Sequence, residues 1–235
     1  MRNRRTNYRA PRQREEVKTV IPKAIGFPDR IQTTLRYSDM WGLAPGAQAG
    51  QYTYRGNSLF DPDYTSTGHQ PRYFDQYTAV YSKYVVTSSS IKVSVMNNVG
   101  TSPLFVVVFP STDIPTLLTG APASEYPRAK QSKLLGVAGY QTVTVVHKAA
   151  TTTILGLKPY QINDLDFAAL TGANPTQIWY WNLFFQNVNT TNLSISVSIE
   201  MQYNCEFFDR IEAPFHKWDD HCAGTQATPA RPIGI

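Results

Sequence analysis

Residues 193–203 read Leu-Ser-Ile-Ser-Val-Ser-Ile-Glu-Met-Gln-Tyr, and this stretch decides the fold class. Apolar side chains occupy every odd-numbered position, and polar side chains occupy every even-numbered one. Side chains of a β-strand point alternately to the two faces of a sheet, whereas a helix repeats every three to four residues. The stretch therefore predicts a strand with one face buried and the other in solvent.

Shorter segments of the same character lie upstream of this strand. Alternating hydrophobicity, or a concentration of β-branched and aromatic residues, indicates further strands. The segments predicted in this way are 31–38, 50–55, 91–95, 104–109, 142–145, 152–157 and 178–185, which makes eight strands in all. One helix is predicted at 74–84, where Phe74, Tyr77, Val80, Tyr81 and Tyr84 recur at helical spacing.

The connections between these strands alternate between long and short. The long ones are predicted at 57–83, 111–139 and 158–176, and the remaining connections are short or intermediate. In a jelly roll, alternate connections lie at opposite ends of the sandwich. We therefore predict an all-β fold, a single eight-stranded antiparallel jelly roll of two four-stranded sheets, with one short helix in the connection between the second and third strands. Three long loops at one end would give it the shape of a wedge.

Positive charge is concentrated at the N-terminus. The net charge is +5, yet residues 1–14 contain no acidic residue and six arginines, which leaves the rest of the chain with 16 basic and 17 acidic residues. Arginine pairs with phosphate groups through two hydrogen bonds and does not lose its charge. The residues predicted to bind nucleic acid are Arg2, Arg4, Arg5, Arg9, Arg12 and Arg14, with Tyr8 placed to stack on a base. The alternatives are a solvated tail or a nuclear-import signal.

These features predict three regions: an arginine-rich arm at 1–28, a jelly-roll domain at 29–210 and an extended tail at 211–235. The longest apolar run, 104–109, is far shorter than the ~20 residues of a membrane-spanning helix. No apolar stretch follows the basic N-terminus, so neither a membrane span nor a secretory signal is expected. Charged residues make up only 17% of the chain, which indicates that much of the surface contacts other protein.

Two stretches resemble the capsid proteins of viruses with small, circular, Rep-encoding single-stranded DNA genomes (CRESS-DNA viruses). The first contains Asn57-Ser58-Leu59-Phe60-Asp61-Pro62-Asp63, then Thr67-Gly68-His69-Gln70-Pro71 and Phe74-Asp75-Gln76-Tyr77; it departs from the family at Ser66, where glycine is usual. The second runs from Thr151-Thr152-Thr153-Ile154-Leu155-Gly156 through Asn174-Pro175 to Trp179-Tyr180-Trp181. Together the matched stretches cover roughly a third of the chain.

The resemblance implies a structural protein that assembles with copies of itself into an icosahedral shell, which we expect to be a T=1 lattice of about 60 subunits. It also implies packaging of single-stranded DNA, or of RNA in recombinant particles, and location in the virion, after assembly in the host nucleus or cytoplasm. The motif residues expected to form an assembly loop are Asn57, Phe60, Asp61, Pro62, Asp63, Gly68, His69, Gln70, Pro71, Phe74, Asp75 and Gln76. The host receptor is not predicted from the sequence.

Metal and cofactor sites are not predicted. Asp61, Asp63 and Asp75 are a weak candidate for Ca²⁺, because carboxylate oxygens suit this ion, but turn and helix-cap roles are the favoured explanation of these residues. The residues Cys205, His216, His221 and Cys222 lack the short paired spacing that zinc sites use. No catalytic motif is present, so an enzyme is not expected. The alternative function is a non-viral jelly-roll binding module, either lectin-like or a cellular nucleic-acid-binding protein.

Overall fold

The computed structural model describes residues 26–43, 49–98, 103–116, 120–132, 142–163, 166–188 and 194–211. Nine strands lie within these ranges: β1 (Arg30–Leu43), β2 (Ala49–Arg55), β3 (Tyr81–Asn97), β4 (Leu104–Ser111), β5 (Lys130–Gln131), β6 (Thr142–Ala150), β7 (Ala169–Leu170), β8 (Tyr180–Asn187) and β9 (Ile195–Arg210). Short helices are α1 (Phe74–Thr78), α2 (Gly120–Ser124) and α3 (Thr151–Leu155), with a 3-10 turn at Pro159–Asn163. No helix in these ranges is both long and apolar enough to cross a membrane.

The strands form two antiparallel sheets whose order defines a jelly roll. The first sheet has the order β1-β9-β3-β6, and the second has the order β2-β8-β4-β5. Apart from β7, consecutive strands lie in different sheets except for β4 and β5, which are neighbours in the second sheet. This is the Greek-key winding of the jelly roll. The prediction of an all-β jelly roll is therefore confirmed. The prediction of two four-stranded sheets is wrong in one respect, because the two-residue β7 adds a fifth strand beside β3.

The register of the strands places every long connection at one end of the sandwich. Arg30 pairs with Phe208 and Tyr81 pairs with Arg210 at this end, whereas Leu43 and Asn97 both pair with Ile195 at the other. The connections at 56–80, 112–129 and 151–179 therefore lie at the end where the described fold also begins and finishes. We call this the wide end.

The core lies between the two sheets and is rich in aromatic side chains. Along β9 every odd residue from Ile195 to Phe207 is buried, as the alternation at 193–203 predicts. Trp179, Trp181 and Tyr203 are completely inaccessible to solvent. Each large apolar side chain buried in this way contributes about 1.5–3 kcal/mol, so the core supplies most of the drive to fold.

The outer face of the second sheet is also covered. The connection that contains α2 packs Ala123 and Tyr126 on this face, and the Tyr126 ring stacks on Phe109 with ring centroids 4.4 Å apart. This cover explains why β4 and β8 are apolar on both faces in the sequence. The outer face of the first sheet is covered only at the wide end among the described residues, where Val85 and Phe208 pack against Ile162 and Ala168 of the connection at 151–179.

Two sequence predictions require correction. The segment 152–157 was predicted to be a strand because threonine and isoleucine are β-branched, but Thr151–Leu155 forms α3. The hydroxyl of Thr151 donates to the carbonyl oxygen of Val86, and Gly156 ends the helix in the left-handed conformation with φ 68°. The position of the sixth jelly-roll strand is taken instead by β6, and the two-residue β5 takes the position of the fifth.

The helix predicted at 74–84 ends at Thr78, and Tyr81 already belongs to β3. The spacing that predicted a longer helix has a different cause. The rings of Phe74, Tyr77, Tyr81 and Tyr84 all contact Phe207 of β9, with centroids 4.7–6.4 Å apart. The four positions therefore surround a single buried ring from two elements.

Candidate functional site

The stretch that carries the resemblance forms a loop at the wide end, between β2 and α1. We call residues 56–73 the motif loop. Its backbone adds to the free edge of β2, because the amide of Arg55 donates to the carbonyl of Pro62 at 2.7 Å and the amide of Tyr64 donates to the carbonyl of Thr53. Tyr54 and Asp63 form a β-bridge at the same place. The first half of the loop therefore behaves as a short extension of the second sheet.

Arg55 is the organising cation of the motif loop. Its guanidinium donates to the carbonyl oxygens of Asp61, Asp63 and Tyr64, and it forms an ion pair of 2.7 Å with the carboxylate of Asp61. The side chain is only 11% exposed. A guanidinium has five donors in a fixed plane, so one side chain fixes the backbone at three carbonyl oxygens between residues 61 and 64.

Asp63 is the organising anion and is almost fully buried. One carboxylate oxygen accepts hydrogen bonds from the hydroxyls of Tyr52 at 2.9 Å and Thr65 at 2.8 Å, and the other accepts from the amide of Thr65 at 3.0 Å. Hydrogen bonds of this kind compensate for the loss of water around a buried carboxylate. The side chain thus closes the turn that follows it.

Asn57 and Ser58 tie the motif loop to the connection at 151–179. The side chain of Asn57 donates to the carbonyl of Gln177 at 2.9 Å and accepts from the amide of Trp179 at 3.0 Å. The hydroxyl of Ser58 donates to Asn174 at 2.6 Å. The two stretches on which the family resemblance depends are therefore in direct contact, although more than 100 residues separate them.

Two glycines in the motif loop are required by close packing. A Cβ atom on Gly56 would clash with the buried ring of Trp179. A Cβ on Gly68 would lie 2.8 Å from both the Cβ of Asp63 and the hydroxyl of Tyr37. Beside Gly68, the His69 ring stacks on Tyr37 with centroids 4.7 Å apart. No larger residue fits at either glycine without moving the loop.

Burial raises the pKa of the tyrosines beneath the loop. The pKa of Tyr52 rises to about 12, first because of burial and then because its hydroxyl is bonded to Asp63. Burial raises the pKa of Tyr54 further, and its hydroxyl donates to Asp39 at 2.8 Å. The phenols therefore stay protonated over the physiological range and act as hydrogen-bond donors to the carboxylates.

The outward side of the wide end presents aromatic and aliphatic side chains. Tyr64 and Tyr73 of the motif loop are 47% and 59% exposed, and Tyr160 and Leu170 of the connection at 151–179 are 71% and 58% exposed. Arg55 lies over the ring of Tyr64 and Arg72 lies over that of Tyr73, so both rings are held by a cation. A rigid surface with exposed rings is suited to contact with another protein.

The predicted motif residues divide into two groups. Most form the inner structure of the loop or pack under it; they are Asn57, Phe60, Asp61, Pro62, Asp63, Gln70, Pro71 and Phe74. His69, Gly68, Asp75 and Gln76 lie on the exposed side. The arm residues Arg2, Arg4, Arg5, Arg9, Arg12, Arg14 and Tyr8 lie outside the described residues.

The Ca²⁺ candidate residues already have other partners. Asp61 pairs with Arg55 and accepts a hydrogen bond from Ser66 at 2.6 Å, while the carboxylate of Asp63 is occupied by hydroxyl and amide donors. Within the described part of the chain, no group of three His, Cys, Asp or Glu could hold a metal ion. Burial raises the pKa of the Cys205 thiol to about 12, whereas His216, His221 and Cys222 lie outside the described ranges.

Sequence reasoning missed Arg55 and Tyr52, and it named Asn174 only as part of the second matched stretch, without its contact to Ser58. Arg55 has a recognisable signal, since it is a cation at the end of a strand that is followed by Asp61 and Asp63. Tyr52 and Asn174 have none, because their contacts depend on the register of β2 and on how two long connections meet.

The strand order and the elaborated wide end define the chain as a jelly-roll protein. No protein-family model and no curated protein sequence matches it. Solved structures similar to it include desmodium yellow mottle tymovirus, with 12% identity, a TM-score of 0.39 and coverage of 92% of this chain and 99% of that one.

Two further solved structures are similar at the same level. Decameric BFDV capsid protein has 10% identity and a TM-score of 0.43, over 76% of this chain and 99% of that one. The semi-empty VLP of giant freshwater prawn Macrobrachium rosenbergii nodavirus has 13% identity and a TM-score of 0.42, over 79% and 97%. Likeness of this degree does not decide what the chain does.

Proposed function

We propose that the chain is the capsid protein of a small circular single-stranded DNA virus, which assembles into an icosahedral shell and packages the genome through its arginine-rich arm. The observation that carries the proposal is the contact between the two matched stretches, through Asn57, Ser58, Asn174 and Trp179. The residues that resemble the capsid family are those that build one rigid structure at the wide end. A chance match would have no reason to fall on such a set.

Assembly is proposed to use the wide end. Exposed Tyr64, Tyr73, Tyr160 and Leu170 would be buried between neighbouring subunits. Aromatic side chains are favoured in interface cores because they bury a large area at a low cost in conformational entropy. A closed shell repeats each contact many times, so contacts that are weak singly become strong together. A T=1 lattice of about 60 subunits is the smallest shell of this kind.

Packaging is proposed to use the arm. Six arginines on each of about 60 arms would bring roughly 360 positive charges to the genome and release a similar number of counterions. Because arginine contacts to phosphate groups carry no sequence information, this contact is expected to be independent of sequence. The virion would be the site of function, and the role is structural rather than enzymatic.

Particle formation tests the proposal directly. The purified full chain is examined by negative-stain electron microscopy and then digested with nuclease. Uniform spherical particles that protect nucleic acid are expected. A monomer at high protein concentration, without particles at any salt concentration, would contradict the capsid function and favour the jelly-roll binding module.

The role of the arm is tested with two variants of equal length. Changing its six arginines to glutamine should lower the nucleic-acid content of particles, measured by the absorbance ratio at 260 and 280 nm. Changing the same six to lysine should preserve most of it, because the charge remains. Equal nucleic-acid content in the glutamine variant would contradict a packaging role.

A further inference from the structure

The outer face of the first sheet is predominantly polar. We call it the open face, and it consists of the outward-pointing side chains of β1, β9, β3 and β6. From β1 and β9 these are Arg30, Gln32, Thr34, Arg36, Ser38, Met40, Ser196, Ser198, Glu200, Gln202, Asn204 and Glu206. From β3 and β6 they are Ser88, Ser90, Lys92, Ser94, Met96, Thr142, Thr144, Val146 and Lys148. Twelve of these 21 side chains are uncharged hydroxyls or amides, and none is aromatic. No described element covers them.

The open face carries an excess of positive charge. Four of its side chains are cations and two are carboxylates, which leaves a balance of +2. Both carboxylates are neutralised on the face itself, Glu206 by Arg30 at 2.8 Å and Glu200 by Lys92 at 2.7 Å. Among the described residues, neither Arg36 nor Lys148 pairs with a carboxylate.

Arg36 and Lys148 lie in one row across the sheet. In the strand register, Arg36 lies opposite Gln202, Gln202 lies opposite Ser90, and Ser90 lies opposite Lys148. Residues opposite each other point to the same face, and neighbouring strands lie about 4.8 Å apart. The Cα atoms of the two cations are therefore roughly 14 Å apart, with polar side chains between them. The row therefore presents two positive charges with hydrogen-bonding groups between them.

Neighbouring rows are held in place by hydrogen bonds along the face. The hydroxyl of Thr34 donates to Asn204 at 2.9 Å, and the amide of Asn204 donates to Ser88 at 2.9 Å. A cavity of about 290 Å³ lies here, lined by Gln32, Thr33, Thr34, Thr87, Asn204 and Cys205. The hydroxyl and amide groups at this position can donate hydrogen bonds to phosphate oxygens, which only accept them.

We propose that the open face binds the phosphodiester backbone of single-stranded DNA, with Arg36 and Lys148 as phosphate contacts in addition to the arm. The inference rests on the proposed packaging function. The excess positive charge of the open face favours a polyanion as its ligand. The described fold begins at residue 26, four residues before Arg30, which lies at one edge of this face. The arm therefore joins the fold beside the surface on which the same strand would lie. A second copy of the chain is a poorer occupant, because interface cores favour exposed aromatic side chains. The open face has none, and the ring of Phe208 at its edge is already buried within the chain.

The test measures how salt weakens binding of the full chain to a fluorescein-labelled oligothymidylate. Anisotropy is followed at a protein concentration where light scattering detects no particles. Each phosphate contact to a single strand contributes about 0.7 to the slope of log K against log salt concentration. The double variant Arg36→Gln/Lys148→Gln should therefore have a slope shallower by up to about 1.4.

Two matched variants complete the test. Arg128→Gln/Lys158→Gln removes the same charge from exposed positions off the open face and should leave the slope unchanged. Arg36→Lys/Lys148→Arg keeps the charge and should restore the wild-type slope. Equal slopes for the two glutamine pairs would overturn the inference.

The outcomes separate this inference from the proposed function. If wild-type particles form and protect nucleic acid while Arg36→Gln/Lys148→Gln keeps the wild-type slope, the open face is not a DNA surface but packaging stands. If that variant instead loses particle formation at an unchanged slope, the face is an interface between copies and the inference is wrong. If the wild-type chain forms no particles, the proposed function fails first.

Discussion

The motif loop and the open face are both rich in polar residues, but they use them in opposite ways. In the loop, Arg55, Asp63 and Asn57 direct their polar atoms inward, toward backbone and side chains of the same chain. On the open face, Arg36 and Lys148 direct theirs outward and find no carboxylate among the described residues. Polar groups satisfied within the chain fix its shape, whereas polar groups left at the surface remain available to a partner.

The largest expected effect is at Arg55. Arg55→Met leaves Asp61 without its counter-ion and three carbonyl oxygens without their donor, which should cost about 3 kcal/mol or more in the free energy of unfolding. Arg36→Met on the open face should change it by no more than about 0.5 kcal/mol. Urea unfolding followed by tryptophan fluorescence measures both. Similar costs for the two variants would remove the distinction between loop and face.

The second comparison sets a glycine of the motif loop against Gly42 of β1, which lies opposite Ser196 of the open face. Gly56→Ala forces a methyl group into the ring of Trp179 and should destabilise the fold by about 1–3 kcal/mol. Gly42→Ala places its Cβ in ordinary contact with the carbonyl of Ile195 at 3.5 Å and should cost less than about 0.5 kcal/mol. Thermal unfolding of the two alanine variants provides the measurement, and a Gly56→Ala protein as stable as the wild type would show that the loop is not tightly packed.

The third prediction concerns alkaline pH. The pKa of Tyr52 is about 12 in the folded chain, above the ordinary value near 10. Its contribution to stability is complete below pH 10 and is lost as the pH rises from 10 toward 12, because the unfolded chain releases the proton first. The urea midpoint should fall across this window, and it should fall less steeply in Tyr52→Phe.

Tyr160→Phe, at an exposed tyrosine of the same end, serves as the matched control. If Tyr52→Phe and Tyr160→Phe behave alike between pH 10 and 12, the phenol under the loop does not carry this dependence.

The smallest expected effect is on the open face. The ion pair between Lys92 and Glu200 is 2.7 Å long, but the two side chains are 45% and 60% exposed. A double-mutant cycle with alanine should give a coupling energy of only about 0.2–1 kcal/mol, reduced further by salt. A value as large as the cost of Arg55→Met would show that the face contributes as much to folding as the loop does.

The sequence predicts a strand well where the strand is buried on one face or on both faces. The alternation at 193–203 and the apolar run at 178–185 identify β9 and β8, because periodicity reports directly on which face is buried. It fails at 152–157, where β-branched residues favour a strand but the hydroxyl of Thr151 bonds to Val86 and α3 forms. Such contacts are made by residues distant in sequence, so local propensity cannot reveal them.

The same limit applies to the site. The resemblance at 57–77 predicts where the motif lies, and Asp61-Pro62-Asp63 predicts a turn. It does not predict that Asp63 is buried or that Asn57 reaches Trp179, because both facts depend on how two long connections meet at the wide end. Arg55 is the exception, since a cation at the end of a strand followed by two carboxylates has few other partners within reach.

The pairing of Arg30 with Phe208 makes the first and last long strands of the fold direct neighbours. The points where the chain enters and leaves the sandwich are therefore about 5 Å apart across the sheet. A short linker between these points, with new termini opened at 44–48, would give a circular permutant of the same topology. In that permutant the basic arm could be attached at the end of the sandwich opposite the wide end. Comparing it with the natural chain would show whether the arm's effect depends on its charge alone or also on where it joins the fold.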